Sequence, residues 1–354
     1  MPGRPFFVTK IKIPLRPMLR HIYTYDGPFA LESGAVLDGV SICYHTSCPE
    51  RGKRPVVWIC HALTANSNPA EWWDTLVGPG LLFDTDKYYI VCANILGSCY
   101  GTTGPTTYPK APLHNFPLIT IRDLTHAHEL LREHLGIEQI DFLVGGSNGG
   151  FQSVEWATGY PQRIKNLCLI ATSAIVSPWC TATLEAQRMA IKADPTFDQA
   201  KDERGGLAGL AAARSMALIT YRNYEGYGRT QAETNPDFVL ANRAVTYQQY
   251  QGQKLCRRFD AYSYYNLTLG VDTHNVGRQR GGVEKALGGI TAKTLCIAID
   301  SDILFPVSES RRMAEAIPNA ALEVITSNFG HDGFLLEWQQ ISDCINKHFD
   351  LFRK

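Results

Sequence analysis

Short apolar runs separated by helix-length stretches set the rhythm of this chain. Val56-Val57-Trp58-Ile59-Cys60, Tyr88-Tyr89-Ile90-Val91-Cys92, Ile140-Asp141-Phe142-Leu143-Val144, Leu167-Cys168-Leu169-Ile170-Ala171, Leu295-Cys296-Ile297-Ala298-Ile299 and Leu322-Glu323-Val324-Ile325 each have strand length. Near-continuous apolar runs of this kind suit strands buried on both faces. Residues 120–135 carry Leu124, Leu130, Leu131 and Leu135 at helical spacing, with Gly136 as the stop. Further helices are expected over 151–160 and 338–349. The alternation predicts an α/β fold: a mostly parallel central sheet flanked by helices. Residues 6–46 read as an antiparallel lead-in with a turn at Glu32-Ser33-Gly34. Between Ser177 and Gly289 no strand of the earlier kind occurs. That segment has a helical run at 210–221 and many Tyr, Arg and Gln residues, and reads as an inserted helical cap. The core is therefore expected at 1–176 and 290–354, with the cap at 177–289.

One strand ends in candidate chemistry. The run to Val144 is followed by Gly145-Gly146-Ser147-Asn148-Gly149-Gly150 and then by a helical stretch. A serine between glycines at a strand-to-helix turn is the context of a nucleophile elbow. The sharp turn projects the hydroxyl into the site, and small residues two before and two after it let the flanking chains approach. Alone, such a serine is usually a turn residue. The C-terminal quarter adds the context. Asp300-Ser301-Asp302 follows one strand, and Gly330-His331-Asp332 follows the next. The chain order Ser, Asp, His is that of α/β-hydrolases. Ser147 would attack, His331 would take its proton, and Asp302 would hold the imidazole. Asp300 is the rival acid; Asp302 is preferred because it lies nearer the loop. In this fold the loop after an early strand supplies one oxyanion N–H and the residue after the nucleophile the other. Those donors fall to the backbone of Leu63 and Asn148, with the His61 ring read as structural.

Composition narrows the class. The 354 residues are 45% hydrophobic and carry 34 Lys+Arg against 34 Asp+Glu. That balance gives no basic stripe for nucleic acid. No run approaches the roughly 18 apolar residues of a membrane span, and Met1–Phe7 lacks the apolar stretch of a signal peptide. The ten cysteines are scattered without a C-x-x-C pair, and read as reduced residues of a cytoplasmic protein. No metal spacing appears.

Further segments carry a closer resemblance. They include Cys60-His61-Ala62-Leu63-Thr64, Trp72-Trp73-Asp74, Asn94-Ile95-Leu96-Gly97, Cys99-Tyr100-Gly101-Thr102-Thr103-Gly104-Pro105, Thr120-Ile121-Arg122-Asp123, Ala213-Arg214, Thr220-Tyr221-Arg222 and Arg258-Phe259-Asp260. Spread over nearly the whole chain, they resemble the homoserine O-acetyltransferase family of α/β-hydrolase-fold enzymes. The resemblance implies acyl transfer from acetyl-CoA, as co-substrate, through the serine to the hydroxyl of L-homoserine, in methionine biosynthesis. It implies no cofactor and a homodimer. The position matching Arg214 would bind the amino acid, through its carboxylate, and Asp332 would suit the ammonium. A zwitterion calls for one fixed cation and one fixed anion. Tyr221, seven residues after Arg214, would share its helix face. Succinyl-using relatives tend to carry Arg two residues after the triad Asp, so Leu304 resembles the acetyl-using type.

The chain departs from the family at Asn148, where an apolar residue is usual, and at Ser98, where Gly is usual. The stretches 107–115 and 194–206 look shorter than usual. These differences bear on the acceptor more than on the nucleophile. A serine or other hydroxyl-amine acyltransferase, a succinyl donor, an esterase and a catalytically silent binding protein are the competing readings. The intact Ser147, Asp302 and His331 speak against the last, and the charged pair Arg214 and Asp332 against a simple esterase.

Overall fold

The structure is a computed structural model that describes residues 17–352 except 236 and 241. The expected strand segment at 6–16 and the start Met1–Phe7 lie outside the described residues. Eight strands form one sheet: β1 (Leu19–Ala30), β2 (Val36–Thr46), β3 (Val56–Cys60), β4 (Tyr89–Ala93), β5 (Phe142–Gly146), β6 (Asn166–Ile170), β7 (Lys293–Ile299) and β8 (Ala320–Ile325). Their order is β1-β2-β4-β3-β5-β6-β7-β8. β1 and β2 pair antiparallel, as does β2 with β4, and the remaining neighbours are parallel. The expected lead-in hairpin is therefore β1–β2, turning where the Gly34 N–H donates to Leu31 O.

Alternation along each strand sends successive side chains to opposite faces. In β3, Val56, Trp58 and Cys60 join one buried cluster while Val57 and Ile59 join the other. Both faces are covered, which is why the strands read as unbroken apolar runs. Helices α1 (Pro69–Trp72), α2 (Ile121–His134) and α3 (Asn148–Gly159) fall within the first half of the fold. The α2 start is fixed by a capping box, in which Thr120 Oγ1 accepts from the Asp123 N–H and the Asp123 carboxylate accepts from the Thr120 N–H.

Between β6 and β7 the described residues form helices: α4 (Pro178–Lys192), α5 (Pro195–Gln199), α6 (Leu207–Tyr221), α7 (Tyr224–Gln231), α8 (Asn242–Cys256), α9 (Ala261–Asp272) and α10 (Val283–Gly288). The end of this segment is tied to the core. His274 stacks on Phe151 of α3 at 4.0 Å, and Thr273 Oγ1 accepts from the Ile121 N–H. Helix α9 also reaches α4, where the Tyr264 hydroxyl donates to Gln187 Oε1 at 2.6 Å. Helices α11 (Val307–Ala316), α12 (Gly333–Leu336) and α13 (Trp338–His348) complete the fold. Among the described residues, no helix is long and apolar enough to cross a membrane.

The order reverses at β3, which has β4 on one side and β5 on the other. Crevices at such switch points, outside the carboxyl ends of parallel strands, are where open α/β sheets hold ligands.

Candidate active site

Ser147 occupies the turn between β5 and α3, at φ 56° and ψ −126°. A non-glycine residue with positive φ is uncommon and marks a local conformation held by its surroundings. The surroundings here are glycine. A Cβ on Gly145 would stand 2.1 Å from Gly149 O, and one on Gly149 would stand 2.1 Å from Cys60 O. These are the residues two before and two after the serine, and only their missing side chains let β3, β5 and α3 meet this closely.

The structure brings the three residues expected to form a triad into one hydrogen-bonded line. His331 Nε2 lies 2.8 Å from Ser147 Oγ, and His331 Nδ1 lies 2.7 Å from Asp302 Oδ2. The other carboxylate oxygen, Asp302 Oδ1, accepts the N–H groups of Leu304 and Phe305 at 2.8 and 3.0 Å. Those two bonds fix the carboxylate's rotation. Asp300 is exposed and turned away, its Oδ1 accepting the Ser327 N–H. His331 is buried among Tyr221, Phe305 and Phe334, with ring centroids 5.7, 5.3 and 5.3 Å away. Burial alone would lower the histidine's pKa. The charge of Asp302, the hydrogen bond to it and the charge of Asp332 outweigh that, and the pKa lies above the usual 6.5.

Ser147 and His331 open into a cavity of about 400 Å³. Its wall includes Leu63, Trp72, Arg214, Tyr221, Lys254, Arg258 and Asp332. Leu63 follows β3, and Asn148 is the first residue of α3. Neither backbone N–H donates to another group among the described residues. The unpaired N–H of Asn148 follows from its place at a helix start. The His61 ring is turned inward: Nδ1 donates to Ala62 O at 2.8 Å, and Nε2 accepts from the Ile95 N–H at 3.2 Å. Burial pushes its pKa down to about 4, so the ring is neutral.

Arg214 and Tyr221 do share a face of α6. The guanidinium carbon stands 5.6 Å from the centre of the Tyr221 ring. Burial raises the Tyr221 pKa to about 12 against the pull of Arg214, so it is a neutral phenol. Among the described residues Arg214 forms no ion pair, and it faces the cavity as an unmatched cation. Asp332 differs from expectation. It is already paired with Arg222, whose other nitrogen donates to the Tyr247 hydroxyl at 3.1 Å. Burial raises the Asp332 pKa, while Arg222, His331 and Arg214 pull it down; the net shift is upward. An ammonium at Asp332 would therefore share the carboxylate with Arg222.

Leu304 is not on the cavity wall. It is buried in the core cluster with Phe305 and Phe151, because its N–H is drawn toward Asp302. Its apolar character suits that packing. The sequence reading gave no role to Arg222, Trp72, Lys254 or Arg258. Arg222 had one usable signal, since it directly follows Tyr221 at the end of a helix whose face points to the cavity. Lys254 and Arg258 lie far along the chain from the serine, and nothing in their spacing places them there.

Comparison with known proteins places the chain in a family. The profile of the family described as alpha/beta hydrolase fold matches residues 55–337. A homoserine O-acetyltransferase of Nostoc punctiforme is 43% identical, covering 93% of this chain and 96% of its own. The crystal structure of homoserine O-acetyltransferase from Staphylococcus aureus superposes with a TM-score of 0.77 at 28% identity, over 94% of both chains. The crystal structure of esterase E22 superposes with a TM-score of 0.85 at 23% identity, over 94% of this chain and 99% of that one, and shows the fold alone. With a nucleophile elbow at the sheet's switch point and relatives of this identity along its full core, the chain belongs to the homoserine O-acetyltransferase family, on the α/β-hydrolase fold.

Proposed function

We propose that this protein transfers an acetyl group from acetyl-CoA to the hydroxyl of L-homoserine through an acetyl-Ser147 intermediate. The observation that carries the reading is the line Ser147–His331–Asp302 opening into a cavity that also presents the unpaired cation Arg214.

In the first half-reaction His331 Nε2 takes the Ser147 proton as Oγ attacks the thioester carbonyl. The C–S bond breaks and CoA leaves as the thiol, with the proton returned by His331. In the second, the homoserine hydroxyl gives its proton to His331 and attacks the acetyl carbon. O-acetylhomoserine leaves and Ser147 is restored. Each tetrahedral oxyanion would be held by the N–H groups of Leu63 and Asn148, donors of a kind typically worth about 3–4 kcal/mol each in the transition state. Arg214 would take the acceptor's carboxylate, stacked against Tyr221. Asp332, shared with Arg222, would take its ammonium. The reaction serves methionine biosynthesis, in the cytoplasm, where the ten free cysteines suit a reducing compartment.

A homodimer is part of the reading. The helices between β6 and β7 expose Met189, Met216, Ile219 and Val245, apolar side chains that a second copy could cover. Sedimentation should give twice the chain mass.

The test follows free thiol with acetyl-CoA or succinyl-CoA as donor, and homoserine, serine or water as acceptor. The reading predicts the highest kcat/KM for acetyl-CoA with homoserine. Thiol release that is indifferent to any amino acid would point instead to an esterase.

A further inference from the structure

A fully buried side chain behind the oxyanion donors takes no part in the scheme above. Gln152 lies one turn after Asn148 on α3 and exposes none of its surface. Its Nε2 donates to the carbonyls of His61, at 3.0 Å, and of Asn148, at 3.1 Å. Its Oε1 lies 3.0 Å from His128 Nε2 on α2. Neither carbonyl has a proton to give, so the amide must present its NH2 to them and its oxygen to His128. His128 must then carry its proton on Nε2. Its Nδ1, the acceptor nitrogen in that tautomer, has no partner among the described residues, so no buried N–H is left unpaired on the ring. Burial pushes the ring's pKa down to about 4, so it is neutral. The ring is held by Trp156, stacked at 5.3 Å, and Trp58, edge-on at 5.9 Å.

The two carbonyls are the informative part. One belongs to the residue two before Leu63, at the end of β3. The other belongs to Asn148 itself. Gln152 thus joins the two chain segments whose N–H groups the proposed scheme assigns to the oxyanion, at the place where Gly149 allows β3 and α3 to come together.

From this bridge we infer that Gln152, with its amide oriented by His128, is a positioning residue that sets the spacing of the Leu63 and Asn148 N–H donors. The inference rests on the acyl-enzyme reading above. A change in donor spacing acts on the tetrahedral oxyanion and hardly at all on ground-state binding of the CoA portion, so it separates kcat from KM.

The test compares wild type with Gln152→Met, close in shape and without donors, and with Gln152→Glu. Single-turnover acetylation by acetyl-CoA and steady-state hydrolysis of p-nitrophenyl acetate are measured on folded protein. In Gln152→Met, saturating acetylation should fall about tenfold to a hundredfold, and p-nitrophenyl acetate hydrolysis by the same factor. The KM for acetyl-CoA should stay within about twofold. In Gln152→Glu the loss should deepen as pH rises, because the protonated acid keeps one O–H donor and the carboxylate keeps none. Wild type lacks that ionisation. A folded Gln152→Met that acetylates at the wild-type rate overturns the inference, as does a raised KM with an unchanged saturating rate. Should the Met variant not fold, His128→Phe keeps a ring in the tryptophan slot while removing the donor. It should lower the saturating rate with KM unchanged, and a wild-type rate there together with a pH-flat Gln152→Glu overturns the inference. Failure of the underlying reading shows separately, as acetyl uptake that survives Ser147→Ala.

Discussion

Replacing Asp302 by Asn reverses the histidine's proton placement, and the structure says how. Asp302 Oδ1 accepts two backbone N–H groups, from Leu304 and Phe305. Only the carbonyl oxygen of an asparagine can take that position, so the NH2 must face His331 Nδ1. Nδ1 is then forced to accept, and the ring proton moves to Nε2, which faces Ser147 Oγ. A base that already holds a proton where it must receive one does not work; in the serine-protease triad the same change costs about 10⁴-fold. That corresponds to about 5.5 kcal/mol of transition-state stabilisation. Flipping the amide to restore the tautomer would set an NH2 against two N–H donors, which costs more than one unmade buried hydrogen bond. The pH profile gives a second signature. His331 acts as base only when neutral, so activity rises with pH through its pKa, and in wild type that limb lies above 6.5 because the pKa is raised. Without the Asp302 charge, burial dominates and the limb moves to lower pH. The ratio of wild-type to variant rates should therefore be largest near pH 8 and narrow toward pH 5.5. The assay is acetylation-dependent CoA release with a thiol reagent from pH 5 to 9. A loss below tenfold, or an acid limb that does not move, refutes the reasoning.

Other substitutions probe neighbouring parts. Arg214→Ala should raise the KM for homoserine at least tenfold while Ser147 acetylation by acetyl-CoA stays within about twofold, measured by separating the half-reactions. Arg222→Ala removes the cation that does most to hold the Asp332 pKa down, so that carboxyl should protonate at higher pH; the acid limb of kcat/KM for homoserine should shift upward relative to wild type. Gly149→Ala would drive a Cβ to 2.1 Å from Cys60 O, a backbone atom that cannot swing away. It should cost about 1–3 kcal/mol of stability, seen as a lower urea midpoint, and slow acetylation, whereas an unchanged midpoint would show that the turn can relax.

The apolar runs located β3 to β8 to within a few residues, because β3 to β7 are covered on both faces and leave few polar positions to blur the pattern; β8, the edge strand, is only half-buried. Periodicity also marked α2, α6 and α13. It did not mark α8, whose residues are mostly polar on both sides, or α9, whose buried positions mix apolar residues with Ser263, Asn266 and Thr268 nearly all round. Nor could it show that His274 stacks on Phe151 of α3, since that contact joins residues far apart in sequence. At the site, Ser147, Asp302 and His331 were legible because each follows a strand in a known order. The choice of Asp302 over Asp300 rested on loop position, and the geometry supplies the reason in the two backbone donors on Oδ1. The partnership of Asp332 with Arg222 was not legible. It joins residues 110 apart in sequence, and no periodicity relates them. Leu304, a position informative by resemblance, packs in the core cluster, a placement that its spacing from Asp302 did not reveal.

The central claim is that the acetyl group rests on Ser147 between donor and acceptor. Intact-mass analysis after mixing the protein with acetyl-CoA alone tests it most directly. One acetyl group should appear on the wild-type chain with release of one equivalent of CoA, map to Ser147, be absent from Ser147→Ala, and pass to homoserine as O-acetylhomoserine when the acceptor is added. A wild-type chain that never gains the acetyl group, while still forming O-acetylhomoserine when both substrates are present, would contradict the account and point to direct transfer.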